Sequence, residues 1–329
     1  MKNTKNFASR WGFILASVGS AVGMANVWGF PNKLGSNGGG AFLLIYLLFI
    51  FIFSYVGLPA EFAMGRHAAT GTLGAYEKAW STRGKGAGKV GGLLGWLPLA
   101  GSLCIAFGYA VIVTYILKAL VDSLLGTLMT GDAAVWFASF STQPYSVIPY
   151  HIIVVAGTLL TLFLGAHSIE KTNKVMMPLF FIIFVVLAVR VALLPGSAEG
   201  YKFMFSPDFS VFSNPDIGFG RVLKSAAGQM FFSLSIGLGV MMTYGSYLGK
   251  QEHLQRNALI VCGADTLIAL MAGMAVMPAC SAFGVEYGAG PGLLFASMQT
   301  VFAHMGSVGN FIGFMFYLLV LIAALTSSI

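Results

Sequence analysis

Ser20–Pro31, SAVGMANVWGFP, and Ser233–Met242, SLSIGLGVMM, are glycine-containing stretches that each interrupt an apolar segment at mid-span. A continuous helix satisfies its own backbone in lipid, so a break at membrane depth persists only where the freed amides and carbonyls line a buried site. Freed amides at a new helix N-terminus can hold an anionic group, and freed carbonyls can hold a cation. Two such breaks, one in each half of the chain, are the pattern of a carrier with its binding site between two repeats.

The composition agrees with a membrane setting. The 329 residues are 57% hydrophobic and 9% charged, against about 25% charged in soluble domains, and the mean hydropathy is +0.83. The first apolar segment, from about Trp11, is too long for a signal peptide and lacks a small-residue cleavage site, so it should remain as the first helix. The net charge of +7 comes without a basic stripe interleaved with aromatics, so a nucleic-acid partner is not expected. Cys104, Cys262 and Cys280 lie in apolar stretches without metal-site or disulfide spacing, and are expected to be buried free thiols.

With about 20 apolar residues needed per span, eight segments emerge, near 11–36, 40–65, 92–125, 147–166, 174–195, 219–247, 256–283 and 308–329. An all-α, multi-pass protein of the cell membrane is expected, in contact with the lipid bilayer. A cytoplasmic N-terminus places 12 of the 18 basic residues inside, which satisfies the positive-inside bias. The glycine-rich, weakly charged stretch after Gly284 suits a re-entrant or hairpin-like outer loop, or an ordered surface loop.

Asn26 falls within the first break. Asp265 lies in the apolar run VCGADTLIALMAG, where an ionised carboxylate needs a partner. It is either a functional ligand or a protonated side chain bonded to a neighbouring helix. Ser233, Ser235, Thr326, Ser327 and Ser328 add hydroxyl oxygens of the kind a hard cation accepts, although membrane serines mostly serve packing. A channel and an intramembrane enzyme are the other classes. Rings of charge and a repeated carbonyl filter are missing for the former, and the latter would have to use the buried serines and Asp265 without a histidine at matching spacing.

From Arg10 to Ile329 the chain resembles the neurotransmitter:sodium symporter family, specifically its bacterial amino-acid transporters of the leucine-transporter fold. The resemblance is carried by SRWGFILASVGSAVGMANVWGFP, NGGGAFLLIYLL, MPLFF, LLPGSAEGYKFMFSPDFS, GQMFFSLSIGLG and ALTSSI, in that order. It implies an inverted-repeat bundle with helices 1 and 6 broken. The whole chain would then be one transmembrane domain, with a first repeat at about 11–195 and a partial second repeat at about 219–329. It also implies sodium-coupled amino-acid symport by alternating access, and no enzymatic activity.

The resemblance implies two sodium (Na+) sites. One would use Ala21, Asn26, Ser233 and Asp265 together with the substrate carboxylate, and the other Gly19, Val22, Ala323, Thr326 and Ser327. The substrate carboxylate would rest on the amides of Met24 and Ala25 near Ala21 and Ser233, assisted by Tyr109. Its side chain would meet Ile105, Phe232, Ser235, Leu238 and Ser327. Gly23 stands where monoamine carriers have a carboxylate, which implies a substrate bringing its own. Leu238, in place of a phenylalanine, leans toward aromatic or large aliphatic amino acids. Asp265 occupies a position usually held by asparagine, so chloride is not expected to be required.

Departures from the family pattern also matter. Gly29 replaces the arginine of the extracellular gate, which puts that ion pair in doubt. Ala25 replaces a glycine in the unwound stretch, Gly108 the first of a tyrosine pair, and Lys5 and Phe7 only loosely match the cytoplasmic latch. The apolar span from about Gly309 runs to Ile329 without a polar cap. The expectation is therefore a C-terminally truncated chain, holding most ligand positions and not transport-competent alone.

Overall fold

The computed structural model describes residues 10–84, 86–128, 130–163, 166–249, 251–287 and 293–328. Lys5, Phe7, Ile329 and residues 288–292 of the glycine-rich outer segment lie outside them. The described residues form helices α1 (Arg10–Ala21), α2 (Phe30–Ser36), α3 (Gly40–Tyr55), α4 (Gly57–Ala68), α5 (Thr72–Ser81), α6 (Ala87–Leu94), α7 (Trp96–Leu124) and α8 (Ala133–Thr142). They continue as α9 (Ile148–Phe163), α10 (Ala166–Ala192), α11 (Ser197–Phe205), α12 (Gly218–Ser233), α13 (Val240–Ser246), α14 (Leu254–Ala282), α15 (Met298–His304) and α16 (Gly309–Ser328). Among these residues there is no strand, only an isolated antiparallel bridge between Gly39 and Pro207.

Five helical stretches are long and apolar enough to cross a membrane: Gly40–Ala68, Ala87–Leu124, Lys171–Ala192, Leu254–Ala282 and Gly309–Ser328. A sixth is a pair, Gly12–Ala21 and Ala25–Ser36, bent by 46°. Among the described residues the other two apolar segments of the sequence are also helical, in shorter pieces. Of the segment at 147–166, the described part of α9 is the 16-residue stretch Ile148–Phe163. The segment at 219–247 is divided between α12 and α13.

At the centre lie α14 and α16, 61% of whose most apolar residues are buried, against 22% for Ala87–Leu124. Helix α1 packs on α10, α14 and α16, while α12 packs on α3 and on the turn joining α1 to α2. Lipid is as apolar as leucine and gives helices little reason to associate, so close contact depends on small residues. Helices α4 and α13 show this. A methyl group on Gly65 would run into the Met242 carbonyl, and one on Gly245 would lie 2.7 Å from the Phe62 carbonyl.

Two expectations meet the structure differently. Cys262 and Cys280 are buried, but Cys104 is exposed, which corrects its assignment to the interior. It sits on α7, whose outer face also exposes Leu97, Leu103 and Phe107; an apolar run marks contact with lipid as readily as with protein. The segment after Gly284 is a helical turn at Leu293–Ser297 followed by α15. It buries Leu294, Phe295, Met298, Val301 and Phe302, and Tyr317 of α16 donates to the Leu294 carbonyl at 2.9 Å.

Candidate functional site

The first break begins where α1 ends at Ala21 and continues through Val22 and Gly23 into a widened turn at Ala25–Gly29. The second occupies Leu234–Gly239, between α12 and α13. There Ser235, Gly237 and Gly239 have φ of 52°, 86° and 78°. Glycine enters this left-handed region without penalty, whereas serine is held there against its preference.

Polar side chains from surrounding helices satisfy the second break. Glu61 of α4 accepts from the Gly237 amide at 2.7 Å, Ser102 of α7 donates to the Leu238 carbonyl at 2.7 Å, and Thr72 of α5 donates to the Gly239 carbonyl at 3.0 Å. At the first break, Gln229 of α12 donates to the Ala25 carbonyl at 2.6 Å. Each removes the cost of an unpaired backbone group in an apolar interior. Glu61 lay within reach of the sequence, because a carboxylate in the apolar run GLPAEFAMG meets the criterion that picked out Asp265. Gln229, Ser102 and Thr72 are neutral and carry no such signal.

Asn26, Ser233 and Asp265 come together from the first break, the end of α12 and the middle of α14. All three are fully buried. The Asn26 carboxamide donates to Ser233 Oγ at 3.0 Å and to Asp265 Oδ1 at 2.7 Å, and also to the Asp265 carbonyl at 3.1 Å. Ser233 donates to Asp265 Oδ2 at 2.7 Å, and Asn26 Oδ1 accepts from the Gly23 amide at 3.1 Å. Among the described residues no basic side chain pairs with Asp265.

A second cluster joins α1 to α16. Ser327 donates to the Val22 carbonyl at 3.0 Å, with the Ser20 carbonyl at 3.4 Å. Thr326 donates to the Ala323 carbonyl at 3.0 Å and lies 3.5 Å from that of Val22. Gly19 takes no part in these bonds, and its Cα faces Asn173 and Met177 of α10. The Ser20 carbonyl, outside the set expected from sequence, reaches into the cluster.

Between the two breaks lies a cavity of about 500 Å³. Ala21, Met24, Ala25, Ile105, Tyr109, Phe232, Ser235, Leu238 and Ser327 all line it; Ser233 belongs to the Asn26 network instead. Val154, Thr158 and Leu159 of α9 form a further wall; these neutral residues in an apolar run carry no signal in the sequence. The Met24 amide donates to the Tyr109 hydroxyl at 3.3 Å. A methyl group on Gly23 would collide with Ser327 Oγ and sit 3.0 Å from the Tyr109 hydroxyl, so this face of the cavity is closed to any larger residue. Ile105 and Phe232 are 37% and 40% exposed and form its open side.

Comparison with known proteins gives this arrangement a context. Residues 4–144 and 146–329 match the sodium:neurotransmitter symporter family. The chain is 36% identical over 333 residues to the uncharacterized sodium-dependent transporter YhdH of Bacillus subtilis, covering 98% of this chain and 69% of that protein. It is 34% identical to an uncharacterized sodium-dependent transporter of Haemophilus influenzae, covering 100% of this chain and 72% of the relative. Among solved structures it is similar to MhsT in complex with L-phenylalanine, with a TM-score of 0.87 and 36% identity over 98% of this chain and 71% of that one. The chain therefore belongs to the sodium:neurotransmitter symporter family, a family of sodium-dependent transporters and not of enzymes.

Proposed function

We propose that the chain carries the binding core of a sodium-coupled symporter for an amino acid with a large aliphatic or aromatic side chain. One observation carries this reading: a fully buried carboxylate, Asp265, without a basic partner among the described residues, bonded to Asn26 of the first break and to Ser233 at the end of α12 beside the second. A sodium ion there would supply the missing positive charge. Oxygen donors suit it, because hard cations take carboxylate, amide and hydroxyl oxygens. Half a turn of the Asn26 carboxamide would present Oδ1 to the ion beside Ser233 Oγ and Asp265, with the Ala21 carbonyl and the substrate carboxylate completing the shell.

The second sodium ion would sit among the carbonyls of Gly19, Val22 and Ala323 and the hydroxyls of Thr326 and Ser327, linking α1 to α16. The substrate carboxylate would lie against the Met24 and Ala25 amides, with the Tyr109 hydroxyl turning to donate to it. The substrate side chain would extend toward Ile105, Phe232, Ser235 and Leu238 in a cavity of about 500 Å³, ample for a phenyl or branched aliphatic group. MhsT, with L-phenylalanine bound, supports the same size class. Because Asp265 supplies a fixed negative charge, chloride is unnecessary.

The remaining elements of the reading are architectural. The eight apolar segments are membrane crossings, the first and sixth broken, with the N-terminus cytoplasmic. They form a single domain in the cell membrane, of the bacterial inner-membrane type. Residues 11–195 make one repeat and 219–329 belong to its inverted counterpart, and rocking of one set of helices against the other would expose the site alternately.

The test is binding of a labelled panel of amino acids to the purified chain in sodium, potassium and choline. Saturable binding of large apolar amino acids in sodium alone is expected. Equal binding in choline would end the sodium-coupled reading, and preference for amines lacking a carboxylate would end the proposed seat at Met24 and Ala25.

A further inference from the structure

Near the end of α7, apart from the cavity between the breaks, Lys118 forms an ion pair with Asp122 one turn on. Trp136 of α8 donates its indole N–H to the same oxygen, Asp122 Oδ2, at 2.8 Å. The Lys118 ammonium also lies 5.8, 5.6 and 6.0 Å from the ring centroids of Trp136, Phe140 and Tyr150. Beside this group is a second cavity of about 320 Å³, lined by Lys118, Asp122, Trp136, Phe140 and Gln143 among others. None of these residues belongs to the proposed sodium or substrate sites.

The charges are only partly used. Both bonds to the Asp122 carboxylate fall on Oδ2, and Oδ1 takes none among the described residues although Asp122 is 7% exposed. Lys118 has three N–H donors, of which Asp122 takes one. The pair has no net charge. A bare anion drawn to Lys118 would meet the Asp122 carboxylate, and a bare cation drawn to Asp122 would meet the Lys118 ammonium. A ligand carrying both an ammonium and an oxyanion satisfies both at once. The volume lies at the small end of ligand sites, which run from about 300 to 1,000 Å³.

We propose that this cavity is a second ligand site, specific for a small zwitterion, with the ligand's oxyanion on Lys118 and its ammonium on Asp122 Oδ1. Two sources share this chemistry: a free α-amino acid and a phosphoethanolamine lipid headgroup. The second is within reach because Lys118 lies six residues before Leu124, the last residue of α7. That is roughly 9 Å along the axis, a depth at which tryptophan and tyrosine meet headgroups.

The chain labelled with 5-fluorotryptophan tests the proposal in nanodiscs. Trp136 is one of five tryptophans, so Trp136→Phe assigns its fluorine resonance. One arm titrates L-alanine into phosphatidylglycerol discs, and the other titrates glycerophosphoethanolamine and then replaces part of the lipid with phosphatidylethanolamine. A saturable shift of the Trp136 resonance is expected in at least one arm, and the responding arm identifies the source. Lys118→Met and Asp122→Asn should weaken it at least tenfold, while inorganic phosphate and ethylamine should leave the resonance in place. If those variants do not fold, Gln143→Leu on the exposed rim should weaken it several-fold. No shift with any zwitterion, an undiminished shift in Lys118→Met or Gln143→Leu, or an equal shift with phosphate or ethylamine would overturn the proposal.

Discussion

Replacing Asp265 with asparagine separates a sodium ligand from a protonated structural acid. The substitution keeps size and shape. The asparagine carbonyl can accept from Asn26 in place of Oδ1, and its amide can donate to Ser233 Oγ in place of the bond that Oδ2 receives at 2.7 Å. The stability cost in the absence of sodium should be about 1 kcal/mol, that of weakening one intramolecular hydrogen bond. The sodium term is larger. Two unit charges about 4 Å apart at an effective dielectric of ~20 interact by about 4 kcal/mol, and desolvation of the carboxylate offsets part of this. A loss of about 2–3 kcal/mol remains, or roughly 30- to 150-fold in affinity. Asp265→Asn should therefore unfold within a few degrees of wild type without sodium, yet gain much less thermal stability from added sodium. Competition of unlabelled sodium against radioactive sodium measures the affinity directly. A mutant affinity within threefold of wild type would mean that Asp265 is neutral in the native protein and serves packing, and the reasoning would fail.

Glu61→Leu removes the acceptor of the Gly237 amide and should cost about 1 kcal/mol, that of one hydrogen bond, seen as a lower Tm, while Glu61→Gln, which retains the acceptor, should recover most of it. Tyr109→Phe removes the hydroxyl that the Met24 amide now reaches, and with it a hydrogen bond to a charged carboxylate of about 1.5–3 kcal/mol; substrate affinity should fall at least tenfold with sodium affinity in the absence of substrate unchanged. Gly23→Ala places a methyl group against Ser327 and Tyr109, so equilibrium binding should show loss of substrate affinity while the chain still folds. Asp265→Asn should also make binding responsive to chloride, whereas wild type should bind equally in chloride and gluconate.

The positions of the breaks were legible because glycine clusters stand out in apolar runs, and Asn26 and Asp265 because amide and carboxylate groups are costly there. Their convergence was not. Nothing in the spacing of Asn26, Ser233 and Asp265, separated by more than 200 residues from first to last, says that three helices meet at one point; that reading depended on resemblance to a family. Glu61 shows a signal present but passed over, since its setting is that of Asp265. Cys104 marks a physical limit: hydropathy reports that a segment prefers an apolar medium, and lipid and protein interior are both such media. The carbonyl of Ser20 in the second cluster depends on how α1 terminates at Ala21, which residue type alone does not determine.

The central claim is that a sodium ion and the substrate carboxylate occupy one site built from Asn26, Ser233 and Asp265. If they do, each must raise the affinity of the other by the same factor. The decisive measurement is a pair of titrations on the same preparation, substrate affinity at low and saturating sodium, and sodium affinity with and without saturating substrate. Equal enhancement factors of about fivefold or more, abolished together in Asp265→Asn, are the predicted result. Substrate affinity that stays flat as choline is exchanged for sodium would contradict the account.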